Sequence, residues 1–129
     1  MIDVQVLTTK WFARFARREK ITDAMLCEAV ARARRGIVGA DLGGNVLKQR
    51  IARKGEGRSG GYRTILLFRI GERAIFAYGF AKNAQDNIDK AELEAFRSLA
   101  AELMEYDEDR IGKALDAGAL LEVTCNGDE

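Results

Sequence analysis

Seven cationic side chains, Lys48, Arg50, Arg53, Lys54, Arg58, Arg63 and Lys82, gather in the middle of this sequence, and histidine is absent from it. Without histidine, His-dependent triads and Cys/His metal sites fall away. Lysines and arginines alone suffice for one reaction. RNA is cleaved when its 2′-hydroxyl attacks the adjacent phosphorus, provided a base takes the proton, an acid protonates the leaving oxygen and cations stabilise the anionic phosphorane. Arginine suits the phosphate because its guanidinium donates in a planar fork. No metal or other cofactor enters that scheme. The seven cations can fill its roles between them, with Tyr62 or Tyr78 stacking a base or sharing a proton.

Each residue also has a plainer reading. Lys48, Arg50 and Arg53 fit the solvated face of an edge strand. Arg63 sits between apolar neighbours, where an unpaired charge is costly to bury, so it is either functional or tied into a salt bridge. Tyr78 reads as core as readily as it reads as a site residue. Trp11 and the phenylalanines beside it read as core. The glycine-rich stretch 55–61 lacks the spacing of a phosphate-binding loop, and Asp107-Glu108-Asp109 reads as a solvated helix start and not a metal cluster.

These side chains need elements to hold them. Residues 2–7 alternate as a short strand, and Thr9 caps a helix over 10–18 with Arg14, Arg17 and Arg18 outward. Thr22 caps a second helix whose stripe is Leu26, Val30, Ala33 and Ile37, with Gly36 at its exit. Asp41-Leu42-Gly43-Gly44 is a turn, and residues 45–53 form a strand with Lys48 and Arg50 on one face and Leu47, Gln49 and Ile51 on the other. Lys54 to Gly61 reads as a loop. Tyr62–Ile70 and Arg73–Ala81 are the clearest strands, and a two-residue turn at Gly71-Glu72 sets their register. That register places Arg63 opposite Phe80, Ile65 opposite Tyr78 and Leu67 opposite Phe76. It also pairs Lys82 with Gly61, so that Arg63 and Lys82 meet on one face beside an open groove. Both faces of the hairpin are apolar, which predicts a central place in the sheet. Asp89 and Glu92 open a helix running to about 105, Asp107 or Asp109 caps a shorter one ended by Gly118, and Leu120–Val123 is a short strand or docked tail.

The chain has 129 residues, 47 % of them hydrophobic and 32 % charged, which fits a single soluble domain, here residues 1–123 with a flexible tail at 124–129. Its net charge of +1 conceals a division: residues 10–82 carry seventeen Lys and Arg against six Asp and Glu, and residues 83–129 carry four against thirteen. The basic part can attract a polyanion although the average is neutral. The opening residues Met1-Ile2-Asp3-Val4 lack a basic, apolar leader, and no stretch is long and apolar enough for a membrane span. A cytoplasmic protein with Cys27 and Cys125 reduced is the expectation.

The run Gly60-Gly61-Tyr62-Arg63-Thr64-Ile65-Leu66-Leu67-Phe68, the later Ala77-Tyr78-Gly79-Phe80-Ala81-Lys82-Asn83 and the helix opening at Asn87-Ile88-Asp89 together resemble the RelE/ParE superfamily of type II toxin–antitoxin toxins, particularly its HigB-like branch. The resemblance covers roughly residues 2–105. It implies a small α+β, RelE-like fold: a curved antiparallel sheet of three to five strands, two N-terminal helices and one or two C-terminal helices. It also implies a cognate antitoxin protein and cleavage of mRNA on the ribosome, with translation inhibited and no membrane partner. Arg63 matches the family's central-strand arginine, and Lys48 and Arg50 fall on its basic strand. Lys82 or Asn83 stands at its next basic pair. These imply Arg63, Lys82, Lys48 and Arg50 as catalytic groups, with Arg53, Lys54, Arg58, Tyr62, Tyr78 and Asn83 along the RNA. Asn83 replaces an arginine of that pattern, and Gln85-Asp86-Asn87-Ile88-Asp89 holds no counterpart of its tyrosine. The alternatives are a ParE-like gyrase inhibitor and a catalytically degenerate relative that only binds RNA or its partner.

Overall fold

A computed structural model describes residues 4–53, 57–69, 73–81 and 87–125, with only the backbone for Arg53 and residues 57–60. Ten elements follow one another: β1 (Gln5–Thr9), α1 (Lys10–Glu19), α2 (Asp23–Arg34), β2 (Ala40–Asp41), β3 (Val46–Arg53), β4 (Gly57–Arg69), β5 (Arg73–Ala81), α3 (Lys90–Met104), α4 (Glu108–Ala117) and β6 (Leu120–Glu122). The class is α+β, as expected. The sheet is larger than expected, with six strands in the order β2-β3-β4-β5-β1-β6. It is also not wholly antiparallel, because β1 runs parallel to β5.

Local chemistry accounts for the helix ends. Thr9 accepts from the Phe12 amide and opens α1. Asp89 and Glu92 exchange both bonds of a capping box at α3, and Asp107 caps α4, which ends on left-handed Gly118. The α2 stripe stops short of its expected end. Helix α2 finishes at Arg34, Gly36 turns the chain away at φ 81°, and Ile37 is left exposed.

The β4–β5 hairpin lies in mid-sheet and is covered on both sides. On one face α1 and α2 bring Phe12, Phe15, Leu26 and Val30 against Tyr62, Leu66 and Phe76. On the other, α3 and α4 bring Ala100, Leu103 and Ile111 against Ile65, Leu67 and Ile75. The hairpin register is partly as expected. Arg63 pairs with Phe80 and Ile65 with Tyr78, but Leu67 pairs with Ile75 and not with Phe76. One extra residue, Ala77, sits between the two registers as a β-bulge. Ile75, Ala77 and Tyr78 consequently all serve the α3 side. Past the bulge, Gly79 faces α1, where an added Cβ would stand 2.7 Å from Phe15 and 3.0 Å from Phe12. Gly79→Ala is therefore expected to destabilise the fold by about 1–3 kcal/mol, read as a lower urea midpoint with an unchanged slope.

Three further expectations are corrected. The basic loop is shorter than Lys54–Gly61, because β4 begins at Gly57 and pairs it with Arg53. Trp11 is 46 % exposed and does not join the core with Phe12 and Phe15. Cys27 and Cys125 form a disulfide, with Cα atoms 5.7 Å apart. Strand β6, antiparallel to β1, returns the chain end to α2, where the Thr124 amide donates to Asp23 Oδ2 at 3.1 Å. Thr124 and Cys125 are thus held against α2.

Candidate functional site

Strand β3 sets the first two cations. Its inward residue Gln49 is almost wholly buried and donates from Nε2 to the carbonyls of Ala29 (3.0 Å) and Ile37 (2.9 Å). The Thr64 hydroxyl donates to the Gln49 carbonyl at 3.0 Å. This lock fixes β3 against α2, and alternation then turns Lys48 and Arg50 to the opposite face of the sheet. Pairing across the sheet gives two adjacent rows on that face: Arg50, Arg63 and Phe80 in one, Lys48, Ile65 and Tyr78 in the other.

Arg63 is the unusual member. It is only 9 % exposed, so it is buried and does not project into an open groove. No carboxylate of the described residues pairs with it, and its Nη1 is buried without a hydrogen-bond partner. Burial, and then the charge of Arg50 opposite, push its pKa below the ordinary arginine value. Two like charges directly across a strand pair repel one another. The other buried arginine, Arg73, also has one buried nitrogen without a partner, Nε, but its Nη1 donates to the Leu103 carbonyl at 2.8 Å, at the C-terminal end of α3, which ties it to the fold. The Arg69 guanidinium beside it meets the Met104 carbonyl at 3.5 Å and Glu105 at 3.8 Å.

Lys48 is half-buried and donates from Nζ to Asn87 Oδ1 at 3.2 Å. The same oxygen accepts from the Ile88 amide at 2.9 Å. Asn87 was not among the residues expected at the site. Its position ahead of a helix was legible, but its contact with Lys48 depends on how α3 packs over the sheet.

The tyrosines separate. Tyr78 is on the Arg63 face, its ring 4.6 Å from Trp11, 5.7 Å from Phe96 and 6.0 Å from Phe80. Tyr62, expected along the RNA, is on the other face. It is buried, its hydroxyl donates to Glu19 Oε1 at 3.0 Å, and its ring meets Phe15 edge-on. Alternation along β4 is the reason: Tyr62 and Arg63 are neighbours and must point apart. Arg53 and Arg58 lie at the end of β3 and near the start of β4, where the backbone alone is described. Lys54, Lys82 and Asn83 lie outside the described residues.

The described residues thus form a small α+β domain with two guanidinium groups facing each other across its sheet. A family model described as the RelE toxin of the RelE/RelB toxin–antitoxin system matches residues 4–123, and the chain belongs to that family. No curated protein and no solved structure matches it. Membership makes the chain a toxin of the toxin–antitoxin type and implies a cognate antitoxin. Among the described residues, no helix is long and apolar enough to cross a membrane.

Proposed function

We propose that this toxin is a ribosome-dependent endoribonuclease of the HigB-like branch, acting on mRNA in the cytoplasm by 2′-hydroxyl attack. The 2′-hydroxyl gives its proton to Lys82 as the general base, a role assigned on sequence grounds, and its oxygen bonds to phosphorus as the bond to the 5′-oxygen breaks, leaving a 2′,3′-cyclic phosphate and a 5′-hydroxyl. Arg63 and Arg50 hold the scissile phosphate and stabilise the charge that grows on it. Lys48, steadied by Asn87, stands beside them as a proton donor to the leaving oxygen. Lys82 completes the catalytic set on sequence grounds, with Arg53, Lys54, Arg58, Asn83 and Tyr78 along the flanking RNA.

One observation carries this reading: a buried guanidinium with no carboxylate partner among the described residues faces a second guanidinium across the strand pair. Two guanidinium forks across a strand pair suit the oxygens of a backbone phosphate. The test is expression of wild type and Arg63→Ala in cells with intact ribosomes, followed by mapping of transcript 5′ ends. The wild type is expected to stop growth with new 5′ ends inside reading frames, and Arg63→Ala to remove both. Growth arrest with intact transcripts and broken DNA would instead support gyrase inhibition.

A further inference from the structure

We infer that Trp11 is the stacking wall of this site, taking an unstacked nucleobase of single-stranded RNA on its exposed face while Arg63 and Arg50 hold phosphates. The inference rests on the RNA reading above and adds a binding residue from an element that reading does not use.

Trp11 lies off the buried stripe of its own helix: Phe12, Phe15 and Ala16 are buried, and Trp11 is 46 % exposed. It is nevertheless held. Pairing of β1 with β5 ends at Thr8 and Phe76, while β5 runs on to Ala81. β4 borders that last stretch on one side, and on the side β1 has left no strand of the described residues replaces it. The Thr9 hydroxyl closes the corner by donating to the Ala77 carbonyl at 3.1 Å, and the same oxygen accepts from the Phe12 amide. The first turn of α1 therefore starts beside the unpartnered edge. There the indole lies 5.6 Å from the Phe15 ring, nearly parallel to it, and 4.6 Å from Tyr78. An indole held against two neighbouring rings and still 46 % exposed is preorganised for stacking.

The Ala77 bulge connects this ring to the cations. Without the extra residue, Tyr78 and Phe80 would point to the α1 side of the sheet; with it, they stand on the Arg63 face, and Phe80 is directly opposite Arg63. The face thus passes from Arg50 through Arg63 and Phe80 to Tyr78 and Trp11. It crosses about three strand spacings, on the order of 15 Å, a reach suited to a short single strand. The charge around the indole has the right sign. The first turn of α1 holds no acid, and Lys10, Arg14 and Arg18 are exposed next to Trp11 or one and two turns along from it. Aromatic faces flanked by cations are how proteins hold single-stranded nucleic acid without reading its sequence.

Trp11 is the single tryptophan of the chain, so its emission reports on its own environment. The test titrates purified protein with a short single-stranded RNA, and with an abasic strand carrying the same phosphates, following both tryptophan emission and the anisotropy of labelled strands. The expected result is quenching by intact RNA and binding of the abasic strand without quenching. Trp11→Ala should weaken binding of intact RNA roughly five- to hundredfold and leave the abasic strand unaffected, while Trp11→Phe keeps most of the affinity. Intact RNA that binds without quenching, and that Arg63→Met still weakens, overturns the stacking role and leaves the RNA reading standing. No binding of either strand, in wild type or variants, overturns the stacking role, and the transcript mapping with intact ribosomes then decides the RNA reading.

Discussion

Arg63→Met is expected to abolish transcript cleavage and, at the same time, to make the protein more stable. The loss should be at least about a hundredfold, the usual scale for removing one preorganised donor to a charge that develops in the transition state. The gain follows from the same geometry. Arg63 is buried, its Nη1 has no partner, and Arg50 repels it. Methionine fills similar space without a charge to desolvate, so a rise of about 1–3 kcal/mol in unfolding free energy is expected from urea titration. The pH dependence has a definite sign. A cation whose pKa is lowered on folding binds its proton less tightly in the native state, so the penalty is complete at every pH below the folded value. It fades only as pH rises through that value, far into alkali, so the gap between variant and wild type should be flat from about pH 6 to 8. Arg73→Met is the control. It removes a bond to the Leu103 carbonyl at the end of α3 and is expected to destabilise by about 1.5–3 kcal/mol while sparing activity.

The second large effect belongs to the disulfide. Breaking the Cys27–Cys125 bridge, which joins residues 98 apart in sequence, is expected to lower stability by about 3–5 kcal/mol through the entropy returned to the unfolded chain. Urea titrations with and without a dithiol reductant measure it, and the Cys27→Ser/Cys125→Ser variant should match the reduced wild type and ignore the reductant. Cleavage should survive reduction where the fold does. The bridge packs with the α1–α2 side of the sheet, whereas Arg63, Arg50 and Lys48 are on the other.

Much of this architecture was legible because it is written in neighbouring residues. Thr9, Asp89 with Glu92, and Gly118 act on amides and carbonyls a few positions away, so the helix ends could be read directly. The alternation 47–51 likewise placed Lys48 and Arg50 opposite Gln49. The Arg63–Phe80 pairing agreed with expectation through compensation. Near the connection Arg69 pairs with Arg73, one step off the expected register, and the bulge at Ala77 restores it before Arg63 is reached. A bulge has no simple sequence mark, so the downstream half was right and Leu67 was wrong.

What could not be read is what depends on distant partners. The parallel β1–β5 pairing, the two-residue β2, the return of β6 to β1 and the Cys27–Cys125 bond all join segments far apart in the chain. Tyr62 failed for a nearer reason: as Arg63's immediate neighbour on a strand, it could not share its face. Trp11 sits among Phe12 and Phe15 in sequence and reads as core. Its exposure comes from where β1 stops relative to β5.

The central claim is that the Arg63–Arg50 pair holds a backbone phosphate of RNA. The most direct measurement is the melting temperature of wild type and Arg63→Met at low ionic strength, with and without a short single-stranded RNA carrying a 2′-deoxy sugar at every position that could be cut. Ligand binding to the folded state should raise the wild-type value and move the variant little. Equal shifts in the two proteins, or a variant that starts out less stable than wild type, would contradict the account.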